Sequence, residues 1–136
     1  LGTILRAGEG AGITGVVMNS ATADIYNPKV IRSTMGSIYR VPFVYVGDWQ
    51  QALGRIQAEG IRPYDAHSKG KVRSDTEDHS TDTGFLIGKE ANGLTEETAA
   101  MADCYVRIPM AGQVESLNAA VAASILMFET ARQRRN

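Results

Sequence analysis

Short apolar segments alternate with helix-like segments along almost the whole chain. The strand-like segments are residues 15–18, VPFVYV at 41–46, IRPYDA at 61–66, GFLIG at 84–88 and CYVRIP at 104–109. Helical patterns cover residues 2–10, 27–40, 48–60, 94–102 and about 114–135. Strands that alternate with helices in this way pair in parallel, because each helix carries the chain back to the start of the next strand. The sequence therefore predicts an α/β fold with a mostly parallel sheet flanked by helices, and 136 residues suffice for one such domain.

Local signals refine several of these segments. Asn27 is placed to cap a helix that has Pro28 at its first position, and Thr95 is placed to cap the helix at 94–102. Within the strand at 61–66, Pro63 has no amide hydrogen and is expected to limit pairing. Residues 67–82 show no apolar period and are predicted to form an exposed loop.

The hexapeptide GAGITG at residues 10–15 fits the glycine pattern of a dinucleotide-binding turn. That chemistry needs a strand before the first glycine and a helix after the last, so that a pyrophosphate lies at the helix N-terminus. Here a helical segment precedes the glycines and the strand-like VVM follows them. We therefore favour a left-handed helix cap with a tight turn at Gly10, Gly12 and Gly15. A nucleotide-cofactor oxidoreductase is the alternative that this motif raises.

Charge and cysteine content narrow the function classes only in part. The formal net charge of −1 argues neither for nor against a nucleic-acid partner. The single cysteine, Cys104, lies in a strand-like stretch where a buried side chain is expected, and it is compatible with a cytoplasmic location. With only His67 and His79 as further ligands, no metal site is expected. No apolar run approaches the roughly 20 residues that cross a bilayer, so no membrane partner is expected.

Two basic clusters could reach phosphate groups. They are Lys69, Lys71 and Arg73 in the polar segment, and Arg132, Arg134 and Arg135 near the end of the chain. Clusters of this kind are more often solvated faces or helix-end charges than binding sites.

Three loops that follow late strands are candidates for a binding site. They are residues 88–94, 108–112 and 115–118. In open parallel sheets, ligands collect at the carboxyl ends of the strands, and glycines there let the backbone approach a ligand. Leu86, Ile108, Met110 and Leu117 could form the apolar walls of a pocket for a small molecule with a flat ring.

Three blocks of sequence, in order, resemble the motifs of one family. GTILRAGEGAGI (2–13) has an arginine four residues after a glycine, LIGKEANGL (86–94) is built around G-x-E-x-x-G-L, and IPMAGQVESLNAAVAA (108–123) has a proline-methionine turn followed by S-L-N. The chain thereby resembles the SpoU (TrmH-like) family of RNA ribose 2′-O-methyltransferases, in the SPOUT superfamily. The resemblance implies a C-terminal deep trefoil knot, S-adenosylmethionine (S-adenosyl-L-methionine) as the cofactor bound at that knot, and RNA as the partner, with rRNA as the first expectation and tRNA as the second.

The resemblance also implies roles for individual residues. Arg6 matches the family's catalytic arginine. Glu90, Ser116 and Asn118 match polar positions that would shape the site and engage the target nucleotide, and we count them with Arg6 as the catalytic set. The expected cofactor-binding residues are Leu86, Gly88, Ile108, Met110 and Leu117.

The chain departs from the family pattern in two places. Lys89 stands where the second motif often has asparagine or serine, and Ala91 stands where glycine is common. The family's first motif also has an asparagine before the position of Leu1, preceded by a strand that is usually central in the sheet. We therefore expect residues 1–136 to be a catalytic domain without its first strand and without any N-terminal RNA-binding domain. These departures leave open a catalytically impaired RNA-binding or dimerisation module of the same fold.

The last helical segment predicts self-association. Residues 115–135 have apolar or small side chains around most of the helix circumference, and such a helix needs burial on more than one side. The resemblance implies a homodimer in which this helix packs against its counterpart. Ala119, Ala120, Ala122 and Ala123 would let another helix approach closely, and the large side chains Ile125, Leu126, Met127 and Phe128 span more directions than one sheet contact would bury. A helix buried wholly within one subunit is the alternative.

Overall fold

The structure, a computed structural model, describes residues 1–19, 22, 24–66, 70, 72–88, 100, 102, 104–113 and 117–135. Its elements in chain order are α1 (Gly2–Ala11), β1 (Val16–Asn19), α2 (Pro28–Ser33), a 3-10 turn (Ser37–Tyr39), β2 (Phe43–Val46), α3 (Trp49–Ala58), β3 (Arg62–Ala66), β4 (Val72–Arg73), β5 (Thr83–Leu86), β6 (Cys104–Arg107) and α4 (Ala119–Arg134). The predicted alternation of helices and strands is confirmed. None of the described helices is long and apolar enough to cross a membrane. The helix predicted at 94–102, with Thr95 as its cap, lies almost wholly outside the described residues.

All strand pairs within the described residues are parallel, as predicted. β1 pairs with β2 in a two-stranded sheet, and the second sheet has the order β4-β6-β3-β5. The strands therefore form two separate sheets in this part of the chain, where the sequence predicts one. Because all four strands of the second sheet run the same way, their carboxyl ends share one edge.

The limit on pairing expected from Pro63 is confirmed on one side of β3 only, and β3 still lies inside the second sheet. β3 pairs with β5 from Arg62 to Asp65 and with β6 from Tyr64 onward. The Arg62 amide donates to the Asp82 carbonyl oxygen at 3.0 Å on the β5 side, so the next amide position points to β6. Proline therefore removes a single donor on one side of the strand, and the rest of the ladder forms on both sides.

The helix predicted over 27–40 begins as expected and ends early. The Asn27 side chain accepts a hydrogen bond of 2.9 Å from the amide two residues later, and Pro28 is the first helical residue. The helix ends at Ser33, because Met35 and Gly36 have φ values of 51° and 88°. An α-helix cannot continue through left-handed residues, so the segment finishes as a 3-10 turn.

The glycines at 10–15 end a helix. Gly10 lies inside the last turn of α1, so its prediction as a turn residue is wrong. Gly12 is the left-handed C-cap with φ 84°, and its amide donates to the Glu9 carbonyl oxygen at 3.1 Å. The helix-cap interpretation is confirmed, and the order of elements excludes a dinucleotide-binding turn, because a helix precedes Gly10.

The first core cluster joins α1 to the two-stranded sheet. Its buried members are Leu5, Met18, Ile25 and Val41. α1 also lies against α2 and α4 through glycines: a Cβ on Gly2 would lie 2.7 Å from the Val30 carbonyl oxygen, and one on Gly8 would lie 3.4 Å from Met127 Sδ. These close approaches fix α1 from two sides.

The second core cluster joins the four-stranded sheet to α4. It consists of Tyr64, Val106 and Leu126. His79 packs beside it with no exposed surface, and its ring centroid lies 4.9 Å from the Tyr64 ring and 5.4 Å from the Phe85 ring. Burial, with a hydrogen bond to Glu77, raises the pKa of Tyr64 to about 12.

The prediction that residues 67–82 form an exposed loop is confirmed for most of the described residues of the segment and is wrong for a few of them. Gly70, Ser74 and His79 are buried, and β4 pairs with β6. Gly70 meets the β6 backbone so closely that a Cβ there would lie 2.9 Å from the Tyr105 carbonyl oxygen. The segment is held by tertiary hydrogen bonds of its polar residues and not by apolar side chains. Its sequence therefore shows no apolar period.

The end of α4 is tied to the same segment by four hydrogen bonds, one of them from Arg134 Nε to the His79 carbonyl oxygen at 3.3 Å. The Gln133 side chain accepts from the His79 amide at 2.6 Å and donates to the Glu77 carbonyl oxygen at 2.8 Å. Arg134 donates to the Thr81 carbonyl oxygen at 2.7 Å. The segment 74–81 is therefore fastened to the last helix.

Candidate functional site

Leu86 and Ile108 lie at the edge where the parallel strands of the second sheet end. Leu86 is the last residue of β5, Ile108 follows the last residue of β6, and β3 lies between them. The register aligns Leu86 with Asp65 and Asp65 with Tyr105. Since neighbouring strands are roughly 4.8 Å apart, β5 and β6 are about 10 Å apart. Ile108 lies three residues beyond Tyr105, the residue at the level of Leu86, so the two residues follow the ends of two strands at the same edge of the sheet.

The other predicted cofactor-binding residues differ in exposure. Leu86 is buried, Gly88, Ile108 and Leu117 are half-buried, and Met110 is 40% exposed. The apolar side chains of this set thus range from the buried Leu86 at the end of β5 to the exposed Met110 after β6.

Two members of the predicted catalytic set, Glu90 and Ser116, lie outside the described residues. Lys89 and Ala91, which depart from the family pattern, also lie outside them.

Asn118 begins α4. Its side-chain oxygen accepts hydrogen bonds of 2.8 and 3.3 Å from the amides of the second and third helical residues. α4 therefore begins at Ala119, later than the start predicted near residue 114, with Asn118 as its N-cap. The structure gives Asn118 a capping role beside Leu117, and the predicted contact with a nucleotide stays a prediction.

Arg6 lies on the exposed side of α1, one turn before a buttressed carboxylate. Glu9 accepts a hydrogen bond of 2.8 Å from Ser37 Oγ and forms an ion pair with Arg40, whose Nε and Nη2 each bind one carboxylate oxygen. The hydrogen bonds from Arg40 and Ser37 lower the pKa of Glu9. Arg6 itself makes no ion pair with any described residue.

α1 reaches the region of Ile108 through α4. A Cβ on Gly10 would lie 3.4 Å from Phe128 Cζ, and Phe128 and Ile108 line one open groove of about 600 Å³. The other residues that line the groove are Ser74, Asp75, Pro109, Ile125, Glu129, Arg132 and Arg135. α1, which carries Arg6, therefore lies against Phe128 of α4. Ile108, a predicted cofactor-binding residue, lines the same groove as Phe128.

An exposed apolar stripe runs along α4. It consists of Val121, Ile125 and Phe128, which are 47%, 39% and 45% exposed and recur at helical spacing. Leu126 and Met127 are buried inside this chain, so the four large side chains divide between a buried and an exposed side of the helix, as predicted. The stripe is thus the part of α4 that intramolecular packing leaves uncovered.

The described members of the two basic clusters are largely engaged. Arg73 pairs with Asp75 at 2.9 Å and Arg132 pairs with Glu129 at 2.8 Å. Arg134 donates to backbone oxygens of the segment 74–81, and Lys69 and Lys71 lie outside the described residues. Of these arginines, Arg134 makes tertiary contacts, and Arg73 and Arg132 make local ion pairs at the surface.

Two charged residues near the carboxyl edge of the sheet are not among the site residues that the sequence predicts. Asp65 is 6% exposed in the middle of the sheet, and Arg107, the last residue of β6, has a buried Nε with no hydrogen-bond partner among the described residues. A charged residue inside an apolar strand is the signal that could have singled out both. Cys104 is half-buried, so the expected full burial is wrong. In the described part of the chain, no cluster of His, Cys, Asp or Glu is placed to hold a metal ion.

Comparisons with known proteins agree with this geometry. The model of the SpoU rRNA Methylase family matches residues 1–128. The chain is 34% identical over 134 residues to the 23S rRNA (guanosine-2'-O-)-methyltransferase RlmB of Xanthomonas axonopodis pv. citri, covering 98% of this chain and 54% of that protein. It is 35% identical over 140 residues to the 23S rRNA (uridine(2479)-2'-O)-methyltransferase of Streptomyces viridochromogenes, covering 98% of this chain and 48% of that protein.

The fold also matches a solved structure. The crystal structure of the SpoU methyltransferase AviRb from Streptomyces viridochromogenes in complex with AdoMet superposes with a TM-score of 0.91 at 33% identity, over 99% of this chain and 53% of that one. The chain spans about half the length of the curated relatives that it matches. On the match of the family model and of these relatives, the chain belongs to the SpoU rRNA methylase family.

Proposed function

We propose that this chain is the catalytic domain of an enzyme that methylates the 2′-oxygen of a ribose in structured RNA, with S-adenosylmethionine as methyl donor. The observation that carries the proposal is the similarity of nearly the whole chain, in fold and sequence, to methyltransferases whose names specify 23S rRNA. Ribosomal RNA is the first candidate substrate and transfer RNA the second. A cytoplasmic location belongs to the same proposal, because these RNAs are found there.

The carboxyl edge of the second sheet suits the cofactor. Leu86 and Ile108 offer apolar surface for a flat adenine ring, and strand-end backbone groups next to Gly88 can meet its polar edge without interference from a side chain. Met110 and Leu117 extend the apolar surface in this proposal. When bound, S-adenosylmethionine supplies a methyl group already activated by the sulfonium charge, so the proposed reaction needs no metal.

The protein must then orient the ribose hydroxyl and accept its proton. In-line transfer requires the hydroxyl oxygen roughly 3 Å from the methyl carbon. Arg6 is a poor base, because a free guanidinium has a pKa above about 12. Its proposed role is to clamp the target phosphate and to stabilise the oxygen as negative charge develops. Glu90, Ser116 and Asn118 complete the proposed site on the nucleotide side.

The open strand edges of the two sheets leave room for a further strand. Within the described residues β1, β2, β4 and β5 each pair on one side only. One parallel strand between β1 and β5 would join the two sheets into one. A strand that precedes residue 1 would satisfy this requirement, and we propose it together with the C-terminal trefoil knot, in which the C-terminal segment passes through a loop.

The exposed apolar stripe on α4 supports a homodimer. Val121, Ile125 and Phe128 form one side of the helix, and Phe128 also borders the groove beside Ile108. Two-fold contacts between identical apolar surfaces are the commonest form of self-association. In the proposed dimer, two copies of the stripe pack together next to the cofactor sites.

Cofactor binding and RNA methylation test the proposal separately. Calorimetry with the complete protein should give micromolar binding of S-adenosylmethionine, about −8 kcal/mol, and no binding of NAD. Incubation with labelled cofactor should transfer label to ribosomal RNA and produce 2′-O-methyl nucleosides. Binding without transfer to any RNA would favour the catalytically impaired module, and NAD binding without S-adenosylmethionine binding would overturn the assignment.

Substitution of Arg6 tests the mechanism. Arg6→Ala should leave cofactor affinity nearly unchanged and lower methyl transfer by about 10²-fold, the effect of losing one electrostatic stabiliser. Arg6→Lys should restore little, since a point charge does not reproduce the planar guanidinium. Full activity of Arg6→Ala would remove this residue from the mechanism.

A further inference from the structure

The carboxylate of Glu9 is held by two side chains from outside its own helix. Oε1 accepts hydrogen bonds from Ser37 Oγ at 2.8 Å and from Arg40 Nη2 at 2.9 Å, and Oε2 accepts from Arg40 Nε. Ser37 is 1% exposed, whereas the Arg40 side chain is 57% exposed. Oε2 thus depends on Arg40 alone among the partners that the structure describes.

Arg6 is the nearest competitor for that carboxylate on α1. Arg6 and Glu9 are three residues apart, so their side chains project about 60° apart on the same side of the helix. Arginine and glutamate at this spacing form ion pairs on helix surfaces. The Arg6 guanidinium nevertheless makes no ion pair within the described residues, while Glu9 is turned towards Ser37 and Arg40.

We propose that Arg40 is a positioning residue that occupies Glu9 and so keeps Arg6 free to contact the RNA. The proposal rests on the role proposed above for Arg6. Its basis is competition: Glu9 is the carboxylate one turn from Arg6, and Arg40 supplies the only described bond to Oε2. Without Arg40, Ser37 retains one oxygen, and the other is left to pair with Arg6.

The competition persists across the working pH range. Hydrogen bonds from Arg40 and Ser37 lower the pKa of Glu9, so the carboxylate is ionised at neutral pH, and loss of Arg40 would return it towards its ordinary value of 4.5. Glu9 therefore stays negatively charged at pH 7 in the absence of Arg40. A Glu9 carboxylate that has lost Arg40 is therefore still charged and can form an ion pair with Arg6.

A set of variants separates this competition from a structural clamp. Arg40→Ala should slow single-turnover methyl transfer to RNA by about two- to fivefold, the factor typical of an exposed ion pair, with S-adenosylmethionine affinity unchanged. Glu9→Gln and the double variant Arg40→Ala/Glu9→Gln should both run at the wild-type rate, because neither carries the competing charge. Arg40→Lys should retain most of the activity, and Arg55→Ala, which removes an exposed helical arginine of α3, is the matched control.

The state of Arg6 is read directly by the Nε resonance of ¹⁵N-labelled arginine, assigned with Arg6→Lys. In Arg40→Ala this resonance should shift, and in the double variant it should return. A clamp that only stabilised the fold would make Glu9→Gln as harmful as Arg40→Ala and the double variant no better. That result, or an unchanged Arg6 resonance in a folded Arg40→Ala protein, would overturn the inference. Full activity of Arg6→Ala together with a shifted resonance would instead refute the proposed role of Arg6 and leave the competition standing.

Discussion

The burial of His79 beside the second core cluster predicts that the folded protein loses stability as the pH falls. The His79 side chain is fully buried against Tyr64 and Phe85. Burial lowers the pKa of His79; a backbone group of Ser74 and the nearby carboxylates of Glu77, Glu129 and Asp78 oppose this in part. Arg62 and Arg134 also face this region. The folded protein therefore holds a neutral imidazole.

The sign and size of the effect follow from proton linkage. Below the ordinary histidine pKa of about 6.5, the unfolded chain binds a proton at this site that the folded chain does not, so acid favours unfolding. The free energy of unfolding should fall by about 1.4 kcal/mol for each pH unit between 6.5 and the lowered folded pKa. The carboxylates of Glu9, Asp75 and Asp78 have lowered pKa values and lose their stabilisation only at more acidic pH.

Urea unfolding at fixed protein concentration between pH 5 and 7.5 measures this slope. His79→Leu removes the titrating ring at similar volume and should flatten the dependence, whatever its effect on absolute stability. His67→Gln is the matched control, since the chain has only these two histidines, and it should keep the wild-type slope. A flat wild-type profile, or an equal slope in His79→Leu, would refute the argument.

Three further substitutions test assembly, close packing and capping. Phe128→Asp should convert the proposed dimer to monomers in sedimentation at micromolar concentration, since a charge would be buried unpaired at the contact, whereas Tyr39→Asp should not; a Phe128→Asp dimer would contradict the role of the stripe. Gly70→Ala should lower the free energy of unfolding in urea by about 1–3 kcal/mol, because its Cβ would meet the β6 backbone. Gly54→Ala, with open space around it in α3, should raise that free energy by up to about 1 kcal/mol. Equal effects of the two substitutions would show that the close approach at Gly70 is not rigid. Asn118→Ala should cost about 1 kcal/mol of unfolding free energy and Asn118→Ser much less, and no difference between them would argue against the cap.

The sequence predicts those features whose causes are local. Asn27 next to Pro28 marks a helix start, and Gly12 marks a helix end, because capping depends on residues a few positions apart. The early end of α2 is not predictable in this way, since nothing in the identity of Met35 requires its φ of 51°. The burial of His79 is missed for a related reason: the residues that enclose it come from β3, β5 and α4.

In the candidate site, too, the sequence predicts the features with local causes and misses those that depend on distant residues. Leu86 and Ile108 lie at one edge of the sheet because parallel strands end together, and this rule can be applied from the sequence pattern alone. The partners of Glu9 are 28 and 31 residues away in sequence, so its engagement appears only in three dimensions. Glu90 and Ser116 lie outside the described residues, and their roles stay predictions.

The position of α4 against both core clusters has a consequence for the order of folding during synthesis. Met127 lies against Gly8 of α1, while Leu126 belongs to the cluster with Tyr64 and Val106. A nascent chain that has released α1 and every strand still has both apolar surfaces open to solvent until the 16 residues of α4 leave the ribosome. Contacts between such distant segments form late and slowly, so ribosome-bound intermediates that lack α4 should be those that chaperones bind.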